Sequence, residues 1–212
     1  SVLDVPQSDW IGESLQSLVE KSLVQRRSVG DGEVRFDLYQ LIREFAAEQL
    51  DEERRHDLEV RHARFYADLI LDMHVPKFGR DVDNVVTGFW NVVDRRADLA
   101  ARGALAAYKL LRNRGAYRTI YEIVDRALSD DPELPEVTAK LYGVRARCDL
   151  ARGHYSEALE SVRAGHSEVE GLRAPSSRVF LHSLEGRLQM ARNDPDDARA
   201  SLREALEYAP ET

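Results

Sequence analysis

Apolar residues recur at three- and four-residue steps along most of this chain, interrupted by one short alternating stretch. Trp10, Ile11, Leu15, Leu18 and Val19 fall on one helical face, which predicts a short helix. Val34, Phe36 and Leu38 then alternate with Arg35 and Asp37 at the period of a strand, facing Leu23-Val24-Gln25-Arg26-Arg27 across Gly30-Asp31-Gly32. Glycine supplies the positive φ that a hairpin tip requires, and this hairpin is the only β-structure the pattern predicts. Helical periodicity returns at 39–50, with Leu41, Ile42, Phe45, Ala46 and Leu50 as the expected inner face. It continues at 53–73, with Leu58, His62, Phe65, Tyr66, Leu69 and Ile70 inward. Pro76 and Gly79 break the pattern and place an expected boundary between domains 1–74 and 75–212.

Beyond the break, helices are expected near 82–95, 97–113, 117–129, 135–151, 156–169, 177–192 and 196–208, with Pro135 and Pro195 suited to first-turn positions. One turn signature recurs between them: Gly115-Ala116-Tyr117-Arg118-Thr119-Ile120, Gly153-His154-Tyr155-Ser156-Glu157-Ala158 and Asn193-Asp194-Pro195-Asp196-Asp197-Ala198. The spacings, 153 − 115 = 38 and 193 − 153 = 40, lie in the range of stacked helical hairpins. An array of this kind predicts binding more readily than catalysis.

The residues also resemble a known family. Leu18-Val19-Glu20-Lys21-Ser22-Leu23-Val24, the hairpin, Arg35-Phe36-Asp37-Leu38 and Ile42-Arg43-Glu44-Phe45-Ala46-Ala47-Glu48-Gln49-Leu50 look like the end of the winged helix in bacterial STAND-type (NB-ARC/AP-ATPase-like) signal-transduction ATPases and transcriptional regulators. Arg61-His62-Ala63-Arg64-Phe65-Tyr66 and Asp83-Asn84-Val85-Val86 with Trp90 are similar to the stretch that joins that winged helix to tetratricopeptide-like sensor repeats. With this resemblance the expected fold class is all-α: a partial winged-helix module with one β-hairpin, then an α-solenoid of TPR-like helical hairpins. The first repeat departs most, with Tyr108 where a small residue is usual and Ile120 where alanine is usual.

The resemblance implies a regulatory sensor or protein-interaction region. An inducer or partner would bind the repeats and be coupled to an ATPase module outside this chain. A constitutive TPR scaffold that recruits a protein partner is the alternative. No Gly-x-x-x-x-Gly-Lys-Ser/Thr loop occurs, so no cofactor is expected in these residues and ATP or ADP would belong to the upstream module. In that family a histidine just after the hairpin can reach the nucleotide. Here the position falls on Tyr39, which is expected to pack or hydrogen-bond without reading a phosphate. The opening Ser1-Val2-Leu3-Asp4 lacks an initiator methionine, so a longer parent is expected.

Composition narrows the chemistry. The net charge of −8 argues against direct nucleic-acid binding, although Lys21, Arg26, Arg27 and Arg35 give the hairpin region local cations. A single cysteine, Cys148, excludes an intramolecular disulfide and, with no long apolar run, leads to an expected cytoplasmic location without membrane contact. The six histidines form no His-Glu-x-x-His, so neither a metal site nor an enzyme is expected from spacing. One constellation stands out: Arg102, Lys109, Arg112, Lys140, Arg147 and Arg187 are expected on the groove-facing helices, with Lys109, Arg147 and Arg187 at matching positions of successive repeats. A cationic ladder of this kind suits a protein or peptide partner, or a small anionic ligand, because guanidinium groups bind carboxylate and phosphate in bidentate fashion. The competing reading is a solvated basic face balanced by neighbouring acids.

Overall fold

The computed structural model describes residues 8–28, 34–72 and 81–209. The hairpin tip Gly30-Asp31-Gly32 and the break at 74–80 lie outside the described residues. The chain divides into two compact units, Ser1–Arg61 and His62–Thr212. The division falls inside a helix, earlier than the boundary at 74 read from Pro76 and Gly79. Its cause is packing: beyond Arg61 that helix buries Ala63, Ala67 and Ile70 as part of the second unit.

In the first unit, α1 (Ser8–Glu20) leads into a hairpin of β1 (Val24–Ser28) and β2 (Val34–Leu38), followed by α2 (Gln40–Glu48) and the first turns of α3 (Glu52–Asp72). α1 stops because Ser22 adopts φ 57°. There the Leu23 N–H donates to the Leu18 carbonyl at 2.9 Å and the Ser22 N–H to the Val19 carbonyl at 2.9 Å. This left-handed cap satisfies the last carbonyls of the helix and turns the chain into β1. The strands pair antiparallel, with Val24 opposite Leu38 and Ser28 opposite Val34. Val24 is the one buried apolar residue among the described residues of this unit. The expected inner face of α2 is corrected: α2 buries none of its residues, and Leu41 and Phe45 are 78% and 61% exposed. Periodicity marks a face that could be buried; here Leu41 and Phe45 stay exposed on it.

The second unit is built from packed helices. After α3 come α4 (Val82–Val92), α5 (Ala97–Leu111), a 3-10 turn at Arg112–Arg114, α6 (Tyr117–Leu128), α7 (Pro135–Arg152), α8 (Tyr155–Glu168), α9 (Pro175–Ala191) and α10 (Pro195–Glu207). Packing is densest within the pairs α7/α8 and α9/α10. Pro135 and Pro195 do open helices, as does Pro175. All three recurring turns pass through left-handed backbone, at Gly115 (φ 68°), Gly153 (φ 79°) and Asn193 (φ 64°). The second and third are built alike. His154 N–H meets the Asp149 carbonyl and Asp194 N–H meets the Gln189 carbonyl, each at 2.9 Å, while Gly153 and Asn193 reach back to Leu150 and Met190. The first differs because the 3-10 turn precedes Gly115.

Small residues let these helices approach closely. Ala100, Ala101, Ala104, Ala106 and Ala107 of α5 are all buried, as are Ala139, Ala146, Ala158 and Ala198 in later helices. Gly186 of α9 shows the limit of that approach: a Cβ there would lie 2.8 Å from Leu202 Cγ and 3.1 Å from the Ala198 carbonyl oxygen of α10.

Candidate functional site

The six cations expected to form a ladder divide into two groups. Arg102 pairs with Asp68 at 2.7 Å, and Lys109 donates to the Ile70 and Leu71 carbonyls at 2.7 and 3.2 Å. Arg112 lies 5.9 Å from the centre of the Tyr108 ring. These three therefore have local work: Lys109 places its charge on the last carbonyls of α3, where the helix dipole is negative. Lys140 and Arg147 are half-buried on α7 and Arg187 is exposed on α9, and no hydrogen bond or ion pair with a described residue engages their charged groups. A cleft of about 1030 Å³ opens elsewhere, lined by Leu172, Arg173, Pro175, Arg178, Glu207 and Tyr208 among others. Arg178 is already committed, donating to the Val169 carbonyl at 2.6 Å and lying over the Tyr208 ring at 5.3 Å.

Between α6, α7 and α8 the charges are organised by aromatic rings. Arg145 lies 5.0 Å over Tyr142, donates from Nε to the Ser161 hydroxyl at 3.0 Å and stands 3.6 Å from Asp125. Arg152 lies 5.1 Å over Tyr121 and 3.9 Å from Asp149. Burial pushes the Asp149 carboxyl above its ordinary range, which Arg152, Arg145 and His154 only partly offset. Cys148 is fully buried and its thiol is pushed up to about 12, chiefly by burial. A thiol in that state is a small packing residue with no nucleophilic character at neutral pH.

One constellation had no counterpart in the sequence expectations. His166 of α8 and His182 of α9 bring their rings to 4.4 Å. His166 Nε2 stands 3.6 Å and His182 Nδ1 3.8 Å from the same Glu185 oxygen, Oε2. Glu204 of α10 brings its Oε2 to 3.1 Å from His182 Nδ1. On its other side the His182 ring lies nearly parallel to Tyr208, 3° between planes and 5.8 Å between centres. Both facing nitrogens are buried, and neither completes a hydrogen bond with a described residue. His166 holds the Glu185 carboxyl below its usual range, against the opposing effect of burial. At 3.6 Å this is proximity of charge and not a formed hydrogen bond. Burial, followed by the neighbouring His166, holds the His182 imidazole below its ordinary pKa. The available signal was His182-x-x-Glu185, an i, i+3 pair on one helical face; His166 lies on another helix and no spacing rule reaches it.

In the first unit, one described helix precedes the hairpin. That helix, α1, carries Asp9, Glu13 and Glu20 and neither lysine nor arginine. The hairpin carries Arg26, Arg27 and Arg35, of which Arg27 pairs with Asp37 at 3.4 Å. Tyr39 caps α2 through its backbone position with no side-chain cap bond, and it is 45% exposed.

Comparison with known families agrees with this geometry. Residues 1–51 match the family described as a winged helix-turn-helix domain. No curated protein matches the chain. The match opens nucleic-acid binding as a reading of this domain, against the expectation from net charge. No helix among the described residues is long and apolar enough to cross a membrane. The protein thus has a winged helix-turn-helix domain followed by a region of packed helix pairs, the build of a DNA-binding or regulatory protein.

Proposed function

We propose that this chain is the regulatory region of a STAND-type signalling or transcription regulator. In this reading the helix pairs are TPR-like repeats that bind an inducer or protein partner, and the winged helix passes that event to an ATPase module of the parent protein. The chain itself is not an enzyme. The observation that carries the reading is the uncovered apolar face of α2, where Leu41 and Phe45 stand exposed one helical turn apart beside exposed Leu38. Contiguous exposed apolar side chains suit a protein contact, and the occupant we assign is the ATPase module. Acidic α1 adds to this, because a helix without cations repels phosphate. In the repeats, Lys140, Arg147 and Arg187 remain available for an anionic group.

The test uses the parent protein. Leu41→Asp with Phe45→Asp should release a resting state held by this contact and raise basal nucleotide turnover several-fold; unchanged turnover would remove the coupling role from α2. The competing reading, DNA binding through the wing, is favoured by Arg26, Arg27 and Arg35 together with the family match. Fluorescence anisotropy with duplex DNA separates the two. The coupling reading expects no binding tighter than about 10⁻⁴ to 10⁻⁶ M, the range of non-specific association. Submicromolar binding lost on replacing the three arginines would establish the other.

A further inference from the structure

We propose that His166, His182 and Glu185, joined by Glu204, form a site for a divalent transition-metal ion of the zinc class that ties α8, α9 and α10 together.

One ligand atom from each of His166, His182 and Glu185 lies within 4.8 Å of the other two. Zinc binds imidazole nitrogen and carboxylate oxygen at roughly 2.0–2.2 Å, which sets neighbouring ligand atoms of a tetrahedron about 3.3–3.5 Å apart. The separations of 3.6 and 3.8 Å to Glu185 and 3.1 Å between His182 and Glu204 are within a few tenths of an ångström of that figure.

His166 Nε2 and His182 Nδ1 are buried and face the carboxylates without completing hydrogen bonds. A buried nitrogen left in that condition costs about 1–3 kcal/mol. A cation bound here would engage both lone pairs and the Glu185 carboxylate, with the Glu204 carboxylate beside His182 as the fourth donor. Two imidazoles favour zinc, copper or nickel over calcium or magnesium, whose sites are built of oxygen.

The His182 ring is held flat against Tyr208, so Nδ1 is fixed toward the cluster before any ion arrives. Because the donors come from both α7/α8 and α9/α10, an ion here would fasten one helix pair to the next. The proposal does not depend on the role of Lys140, Arg147 or Arg187.

The experiment titrates the whole chain, freed of metal with a chelator, with cobalt and then zinc. One equivalent of Co²⁺ should produce the intense visible bands of a tetrahedral site with nitrogen and oxygen donors, which Zn²⁺ then bleaches. Zn²⁺ should also raise the melting temperature. His166→Gln, at a side chain 24% exposed, should weaken binding by more than about 100-fold while melting like the parent chain in chelator. Glu204→Gln, whose side chain is 56% exposed, should weaken it about tenfold. His154→Gln serves as the control and should leave both readouts unchanged. Absence of visible bands and of any melting shift at millimolar metal would overturn the proposal, leaving the cluster as a histidine–glutamate ion pair. Equal binding by His166→Gln would overturn it as well, by placing the metal elsewhere.

Discussion

The two units differ in how much of their apolar surface they cover. Among its described residues the first unit buries Val24 and leaves Phe36, Leu38, Leu41 and Phe45 in water, whereas the second buries Phe89, Ile120, Ile123, Leu141, Leu181 and Leu188 to 2% exposure or less. Both carry the same helical periodicity. The difference teaches that amphipathic pattern declares a capacity for burial, and that what a domain does with the face is a separate property. A covered face holds the second unit together; an uncovered one is available for contact.

The largest effect should come from emptying the second unit's core. Leu181→Ala removes a side chain that is fully buried against Gly143 and Gly165, and it should cost about 2–5 kcal/mol in chemical denaturation. Leu41→Ala in the first unit should change stability by no more than about 0.5 kcal/mol. Equal losses would break the comparison. Overfilling is the next test: Gly186→Ala forces Leu202 and the Ala198 carbonyl away and should cost about 1–3 kcal/mol.

A smaller effect comes from pH. Burial lowers the His62 pKa from its usual 6.5, with Asn84 partly offsetting it, so protons bind the unfolded chain more readily than the folded one. Stability contributed above pH 6.5 should therefore be lost as pH falls from 6.5 through the lower folded value, and His62→Gln should flatten that part of the profile. A profile steeper in the variant than in the parent chain would show the sign to be wrong. The turn residues give a second pair. Gly153→Ala places a Cβ at φ 79° and should cost about 1–2 kcal/mol, while Asn193→Gly should move stability by no more than about 0.5 kcal/mol, because asparagine tolerates this backbone.

Most of the helices were legible because their ends are written locally. Pro135 and Pro195 open helices, and Gly153 and Asn193 close them, through backbone rules that involve only near neighbours. Burial was less legible where a second element decides it. Leu41 and Phe45 read as inward and are exposed; in α3 the fully buried positions are Ala63, Ala67 and Ile70, while Phe65 and Tyr66 are only half-buried. Large residues dominate a periodicity count, yet Gly88 of α4 approaches so closely that a Cβ there would lie 3.0 Å from the Ala63 backbone, a fit that needs small side chains. The ladder was read from helix positions alone, and spacing along one helix could not show that α3 offers Lys109 two carbonyls. The histidine cluster escaped for the same reason, since its members come from α8, α9 and α10 and only His182 and Glu185 share a helix.

Cys148 sits at the centre of this contrast. It is the single thiol of the chain, it lies wholly inside the second unit, and its proton is held up to about 12. A soluble thiol reagent can reach it only during an excursion that opens α7 to solvent, so the rate of alkylation is a clock for those excursions. The first unit contains no sulfhydryl to blur the reading. The protein thus carries its own tracer, by which a ligand that tightens the helix pairs would announce itself as slower chemistry at one sulfur atom.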